Sequence, residues 1–255
     1  MLERYREQKE QARQTLTGIA TLAGKLGMRS LQNDIEGVRL PKLAEGRFNL
    51  VVLGEFNHGK STFVNALLGE PLLPVGITPT TATINLLKYG QRKLARVIWR
   101  DEREELLAWS EVHGWLKKLG PERAAEVRQV EFLTPSEELL RVNVVDTPGL
   151  NSLVEGHEQT ARDVLARADA VIWLFSAQQA GKQTEKEALA LLERHRLKTV
   201  GVLNKIDRLD DAELEQVLAH LREGFGELVE NVLPVSTRQA LKGLTGNDDE
   251  LLQAS

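Results

Sequence analysis

The chain has 255 residues, with 33 Lys and Arg against 37 Asp and Glu, a formal net charge of −4. That length makes one large domain or one with an appendage, and a hydrophobic fraction of 42% beside a charged fraction of 27% excludes a disordered chain. The mild acidity argues against a general nucleic-acid binder. The lack of cysteine excludes a disulfide framework, a thiolate metal site and a cysteine nucleophile. No apolar run reaches the roughly eighteen residues of a membrane span.

Residues 1–27 predict one amphipathic helix. Leu2, Tyr5, Ala12, Leu16, Ile19, Ala23 and Leu26 recur mostly three or four apart, with Glu3, Arg6, Glu7, Lys9 and Arg13 between them. The segment lacks the apolar stretch of a secretory signal. Its modest bulk and mixed charge favour packing on protein over lying on a membrane. A second short helix is expected over 30–37, ended by Pro41. Residues 48–53 then form a β-rich apolar run, the mark of a strand buried on both faces. A helix over 60–68 follows. Further β-type runs at 83–89, 94–99, 127–133, 139–145, 170–175, 199–203 and 229–235 accompany helical patterns at 102–119, 157–168, 184–196 and 211–223. This is an α/β pattern: a mostly parallel sheet flanked by helices, with 83–99 as an antiparallel hairpin at one edge.

Four motifs carry chemistry. Gly54, Glu55, Phe56, Asn57, His58, Gly59, Lys60 and Ser61, followed by Thr62, match G-x-x-x-x-G-K-[ST] between a predicted strand and a helix. The glycines permit close backbone approach. Successive N–H groups at the helix start form an anion nest. Lys60 supplies a point charge between terminal phosphates, and the Ser61 hydroxyl is a hard oxygen donor for Mg²⁺. Asp146, Thr147, Pro148 and Gly149 end another apolar run, where Asp146 can hold Mg²⁺ through water and the Gly149 N–H can reach a γ-phosphate. Asn204, Lys205, Ile206 and Asp207 follow a third strand. The Asp207 carboxylate matches guanine's ring N–H and exocyclic amine, and adenine would leave a buried carboxylate unpaired. Asn204 would brace the loop and reach the base, and the Lys205 stem would lie over the ring. Near Ser236 a backbone N–H is expected to meet guanine O6. In the Pro/Gly/Thr-rich loop at 73–83, Thr81, with Thr80 second, is expected to complete the Mg²⁺ shell of Ser61 and Asp146 and to release on hydrolysis. Lys60, Ser61, Thr81, Asn57 and Gly149 are the expected catalytic groups.

The stretches GEFNHGKSTFVNALLG, LPVGITPTTA, DTPGLNS and NKID resemble the GTPase domain of bacterial dynamin-like proteins and the fuzzy-onions-like GTPases of chloroplasts. The resemblance spans about residues 45–240. It implies a P-loop GTPase fold with GTP/GDP and Mg²⁺ as ligands. The 65 residues from Thr81 to Asp146 imply an insertion between switch I and the D-x-x-G strand. It further implies a homodimer through the nucleotide face that assembles the catalytic site. Flanking helices would transmit the nucleotide state to a lipid-contacting stalk. The full-length protein would be cytoplasmic and peripheral to a membrane, with no nucleic-acid partner. On this reading residues 1–44 are an N-terminal helical segment and 45–242 the GTPase domain. Residues 243–255 begin a C-terminal helical region that the chain does not complete.

The sequence departs from finger-activated small GTPases at two places. Phe56 stands where they keep glycine, and Leu150 where they carry the glutamine that orients water. Asn57 matches the P-loop asparagine of potassium-activated GTPases, whose amide oxygen holds a monovalent cation, K⁺ or Na⁺, in place of an arginine. Its other reading is a hydrogen bond within its own loop. His58 is expected as a solvated loop residue, with contact to a partner or to the attacking water as the other reading. The alternatives left open are a GTPase of the Era or tRNA-modification type acting on RNA, and a slow GTP-dependent switch.

Overall fold

Helix α1 (Leu2–Lys25) leads into α2 (Arg29–Asp34), a π-helical segment (Ile35–Arg39) and α3 (Leu40–Glu45). In this computed structural model they make up the unit Met1–Arg47, distinct from the unit Phe48–Ser255. The structure describes residues 2–74, 83–147, 165, 168–246, 248–253 and 255. The predicted stripe of α1 holds in part: Ala12 and Leu16 are half-buried and Ala23 is buried, joined by Ala20, while Ile19 and, just past the helix, Leu26 lie exposed. Close helix–helix approach favours the small side chains at the centre of that face. Pro41 does not end the second helix as predicted. The π-helical turn widens the chain ahead of it, and Pro41 falls in the first turn of α3, where its missing N–H breaks no bond.

The second unit is built on one nine-stranded sheet. Its strands are β1 (Phe48–Gly54), β2 (Asn85–Tyr89), β3 (Leu94–Trp99), β4 (Glu104–Ala108), β5 (Val127–Thr134), β6 (Val142–Asp146), β7 (Ala170–Ser176), β8 (Lys198–Asn204) and β9 (Val232–Val235). They lie in the order β4-β3-β5-β2-β6-β1-β7-β8-β9. Strands β6, β1, β7, β8 and β9 run parallel to one another, whereas β2 is antiparallel to β6. The helices are α4 (Lys60–Leu67), α5 (Trp109–Lys118), α6 (Pro121–Glu126), α7 (Gln183–Arg194), α8 (Asp211–Phe225), α9 (Thr237–Gly246) and α10 (Asp249–Gln253). The predicted helix at 157–168 lies almost wholly outside the described residues.

Two predictions fail between β2 and β6. Strands β2 and β3 do not form a hairpin, because β5 inserts between them, parallel to β2 and antiparallel to β3. The predicted helix at 102–119 begins only at Trp109. Its first part is β4, paired antiparallel with β3 from Leu94↔Ala108 to Ile98↔Glu104. A tight turn closed by Trp99 N–H to Arg103 O (2.9 Å) and Glu102 N–H to Trp99 O (3.1 Å) directs that stretch back along β3. Pairing with an open edge outweighs the helical propensity of Glu and Leu there.

The sheet is the middle layer of three. Along β1, Val51 and Leu53 face one core with Trp173, Phe175, Leu189 and Leu221, while Val52 faces the other with Val64, Leu87, Phe132 and Leu174. The period of two sends alternate residues to opposite helix layers, so β1 is apolar from Leu50 to Leu53. Phe132 in β5 is fully buried and meets Trp109 of α5 edge-on, with ring centroids 5.8 Å apart. Phe132→Ala should lower unfolding free energy by about 3–5 kcal/mol through the cavity it leaves. Urea denaturation would measure it.

Candidate active site

Parallel strands place their C-terminal ends on one sheet edge, and a strand order that reverses around β1 opens a crevice there. Strand β1 ends at Gly54, with φ +149, and a Cβ there would lie 2.6 Å from the Leu174 carbonyl oxygen. The loop closes at Gly59, with φ +90, where a Cβ would lie 2.5 Å from Asn204 Nδ2. Only glycine fits both turns. Helix α4 starts at once with Lys60, and no side chain caps it, so its first N–H groups are available to an anion.

Lys60 is buried, and its Nζ donates to the carbonyls of Gly54 (3.1 Å) and Glu55 (3.0 Å). Burial pushes its pKa down, opposed by the charges of Asp146 and Glu55. A desolvated ammonium held by neutral carbonyls is suited to an anionic ligand. Across from it, the Ser61 hydroxyl donates to Asp146 Oδ2 at 2.8 Å. Asp146 is fully buried, and its Oδ1 has no hydrogen-bond partner among the described residues. Burial pushes the Asp146 carboxyl up against the opposing pull of Lys60, Ser61 and Asn85. An orphaned carboxylate oxygen beside a serine hydroxyl is a donor set that fits Mg²⁺.

The third element follows β8. Asn204 is buried, and its Nδ2 donates to the His58 carbonyl at 2.8 Å. Its Oδ1 accepts from Lys205 N–H (2.7 Å), Thr237 N–H (3.2 Å) and Thr237 Oγ1 (2.9 Å). The side chain thus ties three loops together, and its oxygen is fully engaged without a base. Lys205 adopts φ +69 and its Nζ donates to the Asn57 carbonyl at 2.6 Å. Asp207 Oδ1 accepts from the buried Ser236 hydroxyl at 2.6 Å. Asp207 is exposed rather than buried, because it sits on a short 3-10 turn (Ile206–Arg208) beyond the sheet edge. The Ser236 N–H donates to the Ser255 carbonyl at 2.8 Å, so it is not the backbone N–H free to meet guanine O6.

The remaining expected residues divide three ways. Thr80, Thr81 and Gly149 lie outside the described residues. Phe56 and Asn57 are exposed at the loop's tip, Asn57 with φ +63, and Thr62 is half-buried in the first turn of α4. Among the described residues the Asn57 amide makes no hydrogen bond of its own loop. His58 requires correction: it is buried rather than solvated. Its Nδ1 donates to the Leu174 carbonyl at 2.9 Å, and burial pushes its pKa down to about 4. Glu55 and His58 face Lys182, Thr184 and Glu185 at the start of α7, a contact with no signal in the sequence. Asn85, a polar residue inside an apolar strand run, was legible as an anomaly; its register places it opposite Asp146.

A parallel sheet carrying a G-x-x-x-x-G-K-S loop, a buried aspartate and an N-K-x-D loop on one edge has the fold and motif set of a P-loop GTPase. Residues 50–206 match the model of the Dynamin family, and the chain belongs to that family. It is 32% identical over 213 residues to a probable transmembrane GTPase, FZO-like and chloroplastic, of Arabidopsis thaliana, covering 79% of this chain and 21% of that protein. It is 31% identical over 198 residues to dynamin-like protein 2 of Campylobacter jejuni, covering 75% of this chain and 31% of that protein. A solved structure of an oligomerised bacterial dynamin pair, described as a mechanism for long-range sensing and tethering of membranes, superposes with TM-score 0.64 at 26% identity. That match covers 97% of this chain and 49% of that one. The chain therefore spans less than half the length of these relatives.

Glu185 supplies a pH test of the buried cluster beneath the phosphate loop. It is fully buried, and its Oε2 accepts from the N–H groups of Gly181 (3.0 Å) and Lys182 (3.1 Å). Burial pushes its pKa from 4.5 up to about 7. The fold therefore favours the neutral acid, and this group's contribution to stability is lost as pH rises from about 4.5 through about 7. Glu185→Gln keeps the acceptor and removes the ionisation. Its stability relative to the parent should rise by roughly 2 kcal/mol between pH 5 and pH 8, as read by urea denaturation at the two pH values.

Proposed function

We propose that this domain binds GTP with Mg²⁺, hydrolyses it to GDP and phosphate, and serves a dynamin-like membrane-remodelling protein. The observation that carries the reading is the convergence of three groups on one sheet edge. These are the glycine-bounded loop with buried Lys60, the Ser61–Asp146 pair, and the Asn204–Asp207 loop braced by Ser236 and Thr237. Membership of the Dynamin family supports it.

The roles follow from chemistry. Loop N–H groups and Lys60 hold the β- and γ-phosphates and draw off charge that develops during transfer. Ser61 and Asp146 hold Mg²⁺, with Thr81 completing the shell and the Gly149 N–H meeting the γ-phosphate. The bound Mg²⁺ supplies charge neutralisation at the β- and γ-oxygens. Asp207 accepts from guanine's ring N–H and amine, and the Ser236 hydroxyl fixes the rotation of its carboxylate. Adenine offers Asp207 no such pair of donors. Asn204 acts by bracing the loops.

Phe56 blocks the approach an arginine finger would take, so charge compensation falls to a monovalent cation at Asn57. The unpaired Asn57 amide supports that role. Phe56, Asn57, Asp207 and Arg208 are all exposed, which supports a second copy docking across the nucleotide face and assembling the catalytic site. Membrane association is the coarser part of this reading. The names and descriptions of relatives as a transmembrane GTPase and a membrane-tethering pair support it. Among the described residues no helix is long and apolar enough to cross a membrane.

The test is GTP turnover per molecule against protein concentration, in KCl and in NaCl. Turnover should rise with concentration and rise further in KCl. Asn57→Ala should remove the K⁺ response, and Lys60→Ala should abolish turnover at all concentrations. A flat, low rate in both salts would instead mark a slow switch. Sedimentation of the full-length protein with liposomes tests the membrane role.

A further inference from the structure

Glu55, the second residue of the phosphate loop, has both carboxylate oxygens engaged by the segment that follows β7. Oε1 accepts from Thr184 Oγ1 at 2.6 Å, and Oε2 from Lys182 Nζ at 2.6 Å. The Glu55 side chain is 13% exposed and that of Lys182 41%. Burial pushes the Glu55 carboxyl up, and Lys182, Thr184 and His58 together bring it below its usual value. Beneath this contact, His58 Nε2 lies 3.8 Å from Glu55 Oε2, and His58 Nδ1 lies 3.8 Å from Glu185 Oε1. Lys182 Nζ also reaches Gln179 Oε1 at 2.9 Å, and Gln178 Oε1 accepts from Arg208 at 2.7 Å, next to Asp207.

The phosphate loop is thus tethered from two sides. Its far half is held through the Asn57 and His58 carbonyls by Lys205 and Asn204. Its near half is held through Glu55 by Lys182 and Thr184. An anion nest works only if its N–H groups already converge, because ordering them on binding costs affinity. We propose that Glu55 is a positioning residue for the phosphate loop, and that Lys182 and Thr184 act on nucleotide affinity through it without touching the nucleotide. The stretch 178–182 then links phosphate binding to base binding, since its Gln178 also meets Arg208. The inference rests on the reading of the loop as a nucleotide-phosphate site.

The test is equilibrium binding and dissociation of a fluorescent guanine nucleotide with Mg²⁺, on the full 255-residue chain. Compared are the parent, Lys182→Met, Thr184→Val, Glu55→Gln, Glu55→Ala and the pair Glu55→Ala with Lys182→Met. Lys182→Met should weaken binding about tenfold, as loss of a charge-assisted hydrogen bond would, with faster dissociation. In turnover the loss should fall on KM more than on kcat. Glu55→Gln, which keeps an acceptor for Thr184, should fall between the parent and Glu55→Ala. The pair should bind no more weakly than Glu55→Ala alone, since Lys182 has nothing left to act through. Additive losses, or Lys182→Met binding like a parent that binds well, would overturn the latch alone. A parent chain that fails to bind guanine nucleotide would overturn the nucleotide reading and the latch with it.

Discussion

Two opposite charges are buried at the ends of neighbouring strands, and much of this structure exists to hold them there. Lys60 follows β1 and Asp146 ends β6, with Val52 of β1 in register with Asp146. They do not hydrogen-bond to each other. Lys60 donates to backbone carbonyls, Asp146 accepts from Ser61, and each shifts the other's pKa only through space. Buried charges without direct pairing are expensive for a fold. The expense is met by two apolar layers around β1, and it leaves a cationic and an anionic group ready for phosphate and metal. Such a site is a local sacrifice of stability for binding.

Asn204 carries the next level of organisation. A single buried amide ties the phosphate loop, its own loop and the start of α9. Lys205 adds a second tie to the phosphate loop. The phosphate loop and the N-K-x-D loop are therefore parts of one hydrogen-bonded body. A buried amide meets such demands well, having donors and acceptors on one short stem. Replacing it would leave several buried backbone groups unpaired at once.

The phosphate loop, the Asp146 strand end and the N-K-x-D loop were legible because each is a short local pattern at a strand terminus. The central strands were legible because a strand buried on both faces carries a continuous apolar run, as Leu50–Leu53 and Val171–Phe175 do. The errors come from long-range pairing. Strand β4 forms because β3 offers it an open edge, and β5 enters between β2 and β3 from 28 to 45 positions along the chain. No local periodicity encodes either event. The burial of His58 was illegible for the same reason: its cover comes from Leu174 and Glu185, more than a hundred positions away. In α1 the buried face follows Ala20 and Ala23, since the closeness of two helices is decided by the smallest residues between them.

The site is uneven in depth, and this bears on how it could work. Its floor is built from buried groups: Lys60 and Asp146 on the phosphate side, Asn204 and Ser236 under the N-K-x-D loop. Its rim is built from exposed ones: Phe56, Asn57, Asp207 and Arg208. Deep electrostatic contacts gain strength from the low local dielectric, whereas a solvent-exposed carboxylate holding a base gains little. Affinity should then reside mainly in the phosphates, with the base giving discrimination at modest strength. A site of that kind exchanges its base contact readily. It presents Phe56, a large apolar ring 46% exposed, beside charged and amide groups on the same face. An aromatic anchor among polar neighbours is the composition that protein interfaces favour. The chemistry of the rim and the depth of the site thus agree with the proposed function: a nucleotide held by its phosphates and a face that takes a second protein surface.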